Sequence, residues 1–410
     1  MLSAYILLRQ QSNGREKSDD GAYGMIARMD TGEMLRRLVG FDTVSRNSNM
    51  AAIEYIRDYL DGYGVASRLS FDDTGAKANL FATIGPAERP GIILSGHSDV
   101  VPVDQQDWAS DPFTLRSHDG KLFGRGSADM KGFIAAALAL VPDLKERATA
   151  APIHLAFSYD EEVGCIGVSR LIDQIGMAEA RPFACIVGEP TMMQPITGQK
   201  GLHVYRCKVH GREAHSSRTP YGVNAVEAAA ELIARIKAIA RRVREEGPFD
   251  PAFDPPYSTI HCGTIHGGTV QNIVPAQCDF TYEIRNLPDH DPEALLAEIE
   301  HHAYVIMEPE MKRIAPEAGF AFAARSRLPG YAINEEHPAV ALVKGILGAN
   351  GAARASYMTE AGLFGRAGIP TVICGPGDIA QAHKPDEFIE EAQLARCETF
   401  LLRLADTVAA

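Results

Sequence analysis

The stretch Gly91-Ile92-Ile93-Leu94-Ser95-Gly96-His97-Ser98-Asp99 opens as an apolar, β-branched run and closes on an imidazole and a carboxylate two residues apart. Its first half reads as a buried strand. Val100-Val101-Pro102-Val103 follows, and Pro102 stops any regular element. His97 and Asp99 are therefore expected where a core strand gives way to a loop, on the edge at which α/β sheets bind ligands. A neutral imidazole is a common metal ligand, and a nearby carboxylate can hold its other ring nitrogen. The plain alternative is a loop histidine beside a solvated aspartate, and a lone His-x-Asp favours it.

Neighbouring stretches repeat the design. Helices are expected from Thr31, with Met34, Leu35, Leu38 and Val39 on one face, and again through Ile53, Ile56 and Leu60. Strands are expected at 65–71, 78–84 and 91–95. Gly124-Arg125-Gly126 permits a tight backbone path, and Asp129 falls just before a helical pattern at 133–141, where a carboxylate can also be a mere N-cap. Pro152 to Tyr159 reads as another core strand and ends in Asp160-Glu161-Glu162. Three adjacent acids are either a solvated turn or a group whose repulsion a dication offsets. After a helix at 166–175, Phe183 to Val187 repeats the pattern and ends in Gly188-Glu189-Pro190.

Ser95–Asp99, Gly124–Gly126 with Asp129-Met130-Lys131-Gly132, Asp160-Glu161-Glu162, Gly188-Glu189-Pro190, and Gln381-Ala382-His383-Lys384-Pro385-Asp386-Glu387-Phe388 resemble, in order, the motifs of the dinuclear zinc aminoacylase/carboxypeptidase (M20-type) family. The resemblance implies an α/β fold: a zinc-peptidase-like catalytic domain with a central mixed sheet flanked by helices, plus an inserted α+β lid and dimerisation domain. It also implies two divalent metal ions, zinc or alternatively cobalt. Asp129 would bridge them, His97 and Glu189 would complete one site, and Glu162 with His383 the other. Glu161 matches the general base and Asp99 the partner that orients His97.

Residues 201–328 differ in texture. A strand at 202–209, a helix capped by Asn224, strands near 257–264 and 278–285, a helix near 292–307 and a strand near 319–325 give the ferredoxin-like β-α-β-β-α-β order. The resemblance makes this the lid through which subunits pair. The catalytic domain is then discontinuous, 25–200 and 329–410. Gly211-Arg212-Glu213-Ala214-His215-Ser216-Ser217 matches the lid motif, whose histidine is expected to cross a homodimer interface and stabilise an oxyanion. Asn272 lies in a loop from which its amide could bind substrate. Arg285 could grip a substrate carboxylate, or form a structural ion pair. Glu360, in Tyr357-Met358-Thr359-Glu360-Ala361, could meet a substrate ammonium, or be a helix-start acid.

That segment resembles the acetylornithine deacetylase branch and departs from the Gly-Gly-Thr-Ser-Asp of the desuccinylase branch. The implied reaction is removal of an acetyl group from an N-acetyl amino acid, N2-acetyl-L-ornithine first, as in arginine biosynthesis. A broader N-acyl-amino-acid hydrolase, a succinyl-diaminopimelate desuccinylase or a dipeptidase is the alternative within the family. A non-catalytic, metal-binding dimeric scaffold is the alternative outside it, though a scaffold has no need of Glu161.

Composition fits these expectations. The 410 residues exceed one ordinary core, and the apolar and charged fractions, 46% and 23%, are those of a globular protein. A formal net charge of −13 argues against nucleic acid as a partner. The seven scattered cysteines lack Cys-x-x-Cys spacing and are read as reduced thiols of a cytoplasmic protein. No run reaches membrane-spanning length. Tyr5-Ile6-Leu7-Leu8 is too short for a signal-peptide core. Polar residues follow it, so 1–24 are expected to be a disordered extension and order to begin near Met25.

Overall fold

The computed structural model describes residues 28–176 and 180–409. The expected extension at 1–24 and the expected start near Met25 lie outside the described residues. Ile92–His97 is buried at every position, as a β-branched run with no polar alternation requires. It pairs in parallel with Ile153–Ser158 on one side and Ala184–Pro190 on the other. Across the whole nine-stranded sheet the order is Ser67–Phe71, Ala78–Ile84, Ile153–Ser158, Ile92–His97, Ala184–Pro190, Thr371–Gly375, Ile196–Gln199 and Tyr331–Ala332, with Ala353–Ala355 beside Ile196–Gln199. The centre is parallel and the Ser67–Ile84 edge antiparallel, so the sheet is mixed.

Helices cover both faces. On one, Met34, Leu38, Ile53, Ile56, Phe133, Ile134, Phe400 and Leu401 pack against the sheet. The other carries Val168, Leu171 and Phe364 over Ile93, Val187 and Ile373. The helix Thr31–Val39 starts where Asp30 accepts from the Glu33 N–H at 2.8 Å, a cap worth about 1 kcal/mol. The helix Gly132–Ala139 is apolar all round and buried at every residue. A side-chain carbon at Gly188 would come within 2.0 Å of the Phe133 ring, so only glycine lets this helix approach the strand that carries Glu189.

The chain from Leu202 to Leu328 builds a second, four-stranded antiparallel sheet in the spatial order Thr259–Gly267, Gln277–Arg285, Leu202–His210, Gly319–Leu328. The helices Ala225–Glu246 and Pro292–His301 share with it a core of its own that includes Tyr205, Leu232, Ile236, Phe280, Tyr282 and Ile299. Asn224 caps the longer helix, its Oδ1 accepting from Val226 and Glu227 at 3.0 and 3.1 Å. A third, three-stranded sheet pairs Phe388–Glu390 with Lys121–Phe123 and so brings the His383 and Asp129 segments together.

Candidate metal centre

Parallel pairing sets the first donors. His97 is the last residue of its strand, and Glu189 lies near the end of the adjoining one. Asp160-Glu161-Glu162 follows directly after Ile153–Ser158, the strand on the other side. Asp129 sits inside the coil Ser127–Lys131 with extended dihedrals (φ −122°, ψ 91°), which turn its carboxyl away from a helical path. His383 comes from a loop in a left-handed conformation (φ 65°).

These side chains converge. His97 Nε2 is 3.0 Å from Asp129 Oδ1, and His383 Nε2 is 3.4 Å from Asp129 Oδ2 and 3.0 Å from Glu162 Oε2. Two donor sets result, His97–Asp129–Glu189 and Asp129–Glu162–His383, each with its atoms within 4.8 Å of one another. Asp129 belongs to both and offers one oxygen to each side.

The electrostatics fit a cation. Burial works against the Asp129 charge, but hydrogen bonds from His383 and His97 outweigh it and hold this carboxyl well below the usual range. Burial pushes Glu161 and Glu189 well up, and the carboxylates around them add to the effect. Burial and the Asp129 charge likewise raise Glu162. Hydrogen bonds to Asp129 and Glu162 lift His383 to about 10. Burial opposes a charge on His97, yet the bond to Asp129 and the nearby Glu161 and Glu189 carry it well above its ordinary value. Glu162 Oε1 is buried without a hydrogen-bond partner. A buried oxygen of this kind needs a partner. Four carboxylates crowd two imidazoles here, and nitrogen and oxygen donors with surplus negative charge suit a divalent ion.

The other expected residues fall differently. His97 Nδ1 is 2.9 Å from the backbone oxygen of Asp99 and 3.7 Å from its carboxylate, so the carbonyl makes the hydrogen bond. The Asp99 carboxylate instead accepts from Ser45 Oγ at 2.7 Å and from the Glu161 and Glu162 N–H groups at 3.0 and 3.3 Å. It therefore shapes the acidic turn. The expectation for Glu360 needs correction. It is 1% exposed, accepts from Ser95 and Ser158, and has its carboxyl pushed up by burial, so it is a buried carboxyl of the core and presents no open face to a substrate ammonium. Arg285 Nε donates to Glu283 at 3.0 Å, the ion pair that was the plain alternative, and the side chain stays 32% exposed. His215 is exposed, and its hydrogen bonds are to Ser217. Among the described residues no hydrogen bond joins it to the donor cluster. Asn272 is exposed, and its backbone oxygen accepts from Ser216 at 3.0 Å.

Nitrogen and oxygen donors in two sets that share a buried aspartate, at the carboxyl edge of an α/β sheet, define a metal-dependent hydrolase. The model for peptidase family M20/M25/M40 matches residues 93–407, and the chain belongs to this family. It is a metal-dependent amidohydrolase. Acetylornithine deacetylase of Proteus mirabilis is 34% identical over 367 residues, covering 88% of this chain and 92% of that protein. The Klebsiella pneumoniae acetylornithine deacetylase is 37% identical over 321 residues, 78% of this chain and 80% of that protein. Among solved structures, an M20 metallo-carboxypeptidase from Sulfolobus solfataricus aligns with a TM-score of 0.74 at 17% identity, over 93% of this chain and all of that one. No helix among the described residues is long and apolar enough to cross a membrane.

Proposed function

We propose that this chain hydrolyses N-acetyl amino acids, with N2-acetyl-L-ornithine as the first substrate and L-ornithine and acetate as products. The relatives' names point to that substrate. The observation that carries the chemistry is Glu161, a buried carboxylate at the cluster that belongs to neither donor set and, among the described residues, accepts only from the Cys165 thiol, at 3.5 Å. When bound, a pair of divalent cations, zinc or cobalt, supplies Lewis acidity and makes water acidic enough to attack near neutral pH. His97, Asp129 and Glu189 would hold one cation, and Asp129, Glu162 and His383 the other. Glu161 takes the proton of the attacking water and returns it to the departing amine nitrogen. Asp99 keeps Glu161 and Glu162 in their turn. Residues 201–328 act as lid and dimer surface, His215 donates a hydrogen bond to the acetyl oxygen in the partner's site, and the Asn272 amide contacts substrate.

The burial of Glu360 favours a second reading within the family. Without an exposed anion at that position, selection for a cationic side chain is weaker, and a broader range of N-acyl amino acids is accepted. The test is a turnover screen of metal-loaded protein against N2-acetyl-L-ornithine, N-acetyl derivatives of neutral and acidic amino acids, N-succinyl-diaminopimelate and dipeptides. A kcat/KM for acetylornithine at least tenfold above the neutral N-acetyl amino acids supports the first reading. Equal values support the second. Activity confined to dipeptides or the succinyl compound overturns both.

A further inference from the structure

One buried pair ties the loop that carries Asp129 to the loop that carries His383. The side chains of Arg125 and Glu387 are each 1% exposed and meet at 2.8 Å, although 262 positions separate them. Glu387 spends both oxygens on the Asp129 loop. Oε2 also accepts from the Gly126 N–H at 2.9 Å, and Oε1 from the Ala128 and Asp129 N–H groups at 2.9 and 3.1 Å. Arg125 reaches the other loop. Its Nη1 donates to the Lys384 carbonyl at 3.2 Å, and its Nη2 donates to Gln106. Gln106 Nε2 in turn donates to the His383 carbonyl at 2.9 Å. The guanidinium lies 4.9 Å from the centre of the Trp108 ring.

Two of the donors depend on such support. His97 and Glu189 are fixed by the ladders of adjoining parallel strands. Asp129 has extended dihedrals inside a coil, and His383 has a left-handed backbone with 55% of its side chain exposed. Neither is held by a strand ladder, and a non-glycine residue at positive φ persists only where its surroundings fix it. The pairing of Phe388–Glu390 with Lys121–Phe123 brings the two loops together, and the bonds from Arg125, Gln106 and Glu387 fix them against each other next to the two donors. Asp129 Oδ1 has a further partner in His97, whereas the His383 ring, among the described residues, meets only Asp129 and Glu162.

We propose that Arg125, Glu387 and Gln106 are positioning residues that set His383 against Asp129. They thereby govern the affinity of the Asp129–Glu162–His383 set for its cation more than that of the His97–Asp129–Glu189 set. This rests on the two-cation reading above. Groups that orient metal ligands typically change affinity by about 10–100-fold when removed.

The test is calorimetric titration of metal-free protein with zinc, and with cobalt followed by its visible absorption, for wild type, Gln106→Ala and Glu387→Gln. Gln106→Ala removes the link to the His383 carbonyl together with the acceptor for Arg125 Nη2 and Trp108, but keeps the buried Arg125–Glu387 pair, so it stays informative if Glu387→Gln folds poorly. The expected result is two cations on wild type. In Gln106→Ala one cation should lose about tenfold in affinity while the other changes less than threefold, with an altered spectrum for the cobalt that is weakened. Glu387→Gln should act in the same direction and more strongly. Two cations on wild type with unchanged affinities in Gln106→Ala, or equal losses at both sites, overturn the positioning role alone. Fewer than two cations on wild type overturn the two-cation reading and this inference with it.

Discussion

Glu161 stands among like charges yet belongs to neither donor set, and this separates its fate on substitution from that of its neighbours. Glu161→Gln removes the proton acceptor and leaves all five donors in place. Turnover should fall at least about a hundredfold while elemental analysis still finds two metals per chain. A fall to one metal makes Glu161 a ligand and reverses the roles of Glu161 and Glu162. Asp129→Ala should empty or weaken both sites, because Asp129 offers an oxygen to each, whereas His383→Ala should weaken one. Equal loss of a single metal in both variants contradicts the bridge. At this scale the motifs located the cluster: His97, Glu162 and Glu189 stand at or just past strand ends, and Asp129 and His383 reach the same place from outside the strands. The sequence was uninformative about what each side chain does with its second partner. The serines that bury Glu360 and the Glu283 that occupies Arg285 are ordinary residues in any linear reading. The Arg125–Glu387 pair was hidden for a different reason, since both residues lie inside quoted motifs but nothing in the chain couples positions so far apart.

Strands explain why the site is where it is, and one of them also explains a pH dependence. Ile153–Ser158 delivers the acidic turn at one end and holds His154 near the other, stacked on Phe81 at 5.3 Å with Nδ1 3.0 Å from Thr83 Oγ1. Burial pushes this imidazole down to about 4. An unfolded chain takes up that proton near its ordinary pKa of about 6.5. Between these values the unfolded state binds more protons, so stability present above pH 6.5 is lost as the pH falls towards 4, at up to about 1.4 kcal/mol per unit. His154→Gln removes this loss. Urea midpoints of wild type and variant, measured at pH 7.5, 6 and 5 with saturating metal, should move in the variant's favour as the pH drops. A gap that is constant with pH rules the mechanism out. The long, strongly patterned elements were legible: the core strands, the Thr31 helix and the Asn224-capped helix lie within a few residues of expectation. The strand at 91–95 runs on to His97, so this residue is part of the sheet rather than of a loop. The short strands Ile196–Gln199, Tyr331–Ala332 and Ala353–Ala355 were not legible, because two to four residues carry no period and exist only through pairing. The expected helix at 292–307 divides into Pro292–His301 and the π-type turn His302–Met307, a change of hydrogen-bond spacing to which apolar periodicity is blind.

The donor cluster gathers at one edge of the nine-stranded sheet, whereas His215 lies beyond the end of the strand Leu202–His210 of the four-stranded sheet. The His215 ring is exposed and, among the described residues, hydrogen-bonds only with Ser217, which leaves its other nitrogen open to a second copy of the chain. The order of the four-stranded sheet, with its own core between Leu202 and Leu328, follows from the β-α-β-β-α-β pattern legible in the sequence. A role as lid and dimer surface does not follow from pattern, because a pattern says which elements pack and not what a second copy does. If each site borrows His215 from its partner, the imidazole donates to the acetyl oxygen as charge develops there, and removing one such donor typically costs about 10²–10³ in turnover. His215→Ala should therefore be nearly inactive with both metals retained. The crossing itself is tested by mixing His215→Ala with Glu161→Gln chains under conditions that allow subunits to exchange. In a mixed dimer, one site has the native Glu161 of the His215→Ala chain and the native His215 of the Glu161→Gln chain, so activity should reappear. The other site lacks both groups. At full exchange half of the dimers are mixed and each has one competent site, so recovery should approach a quarter of wild-type turnover per chain. Tagged, purified mixed dimers that stay as inactive as their parents, while still binding metal, would show that His215 acts within its own chain or not at all.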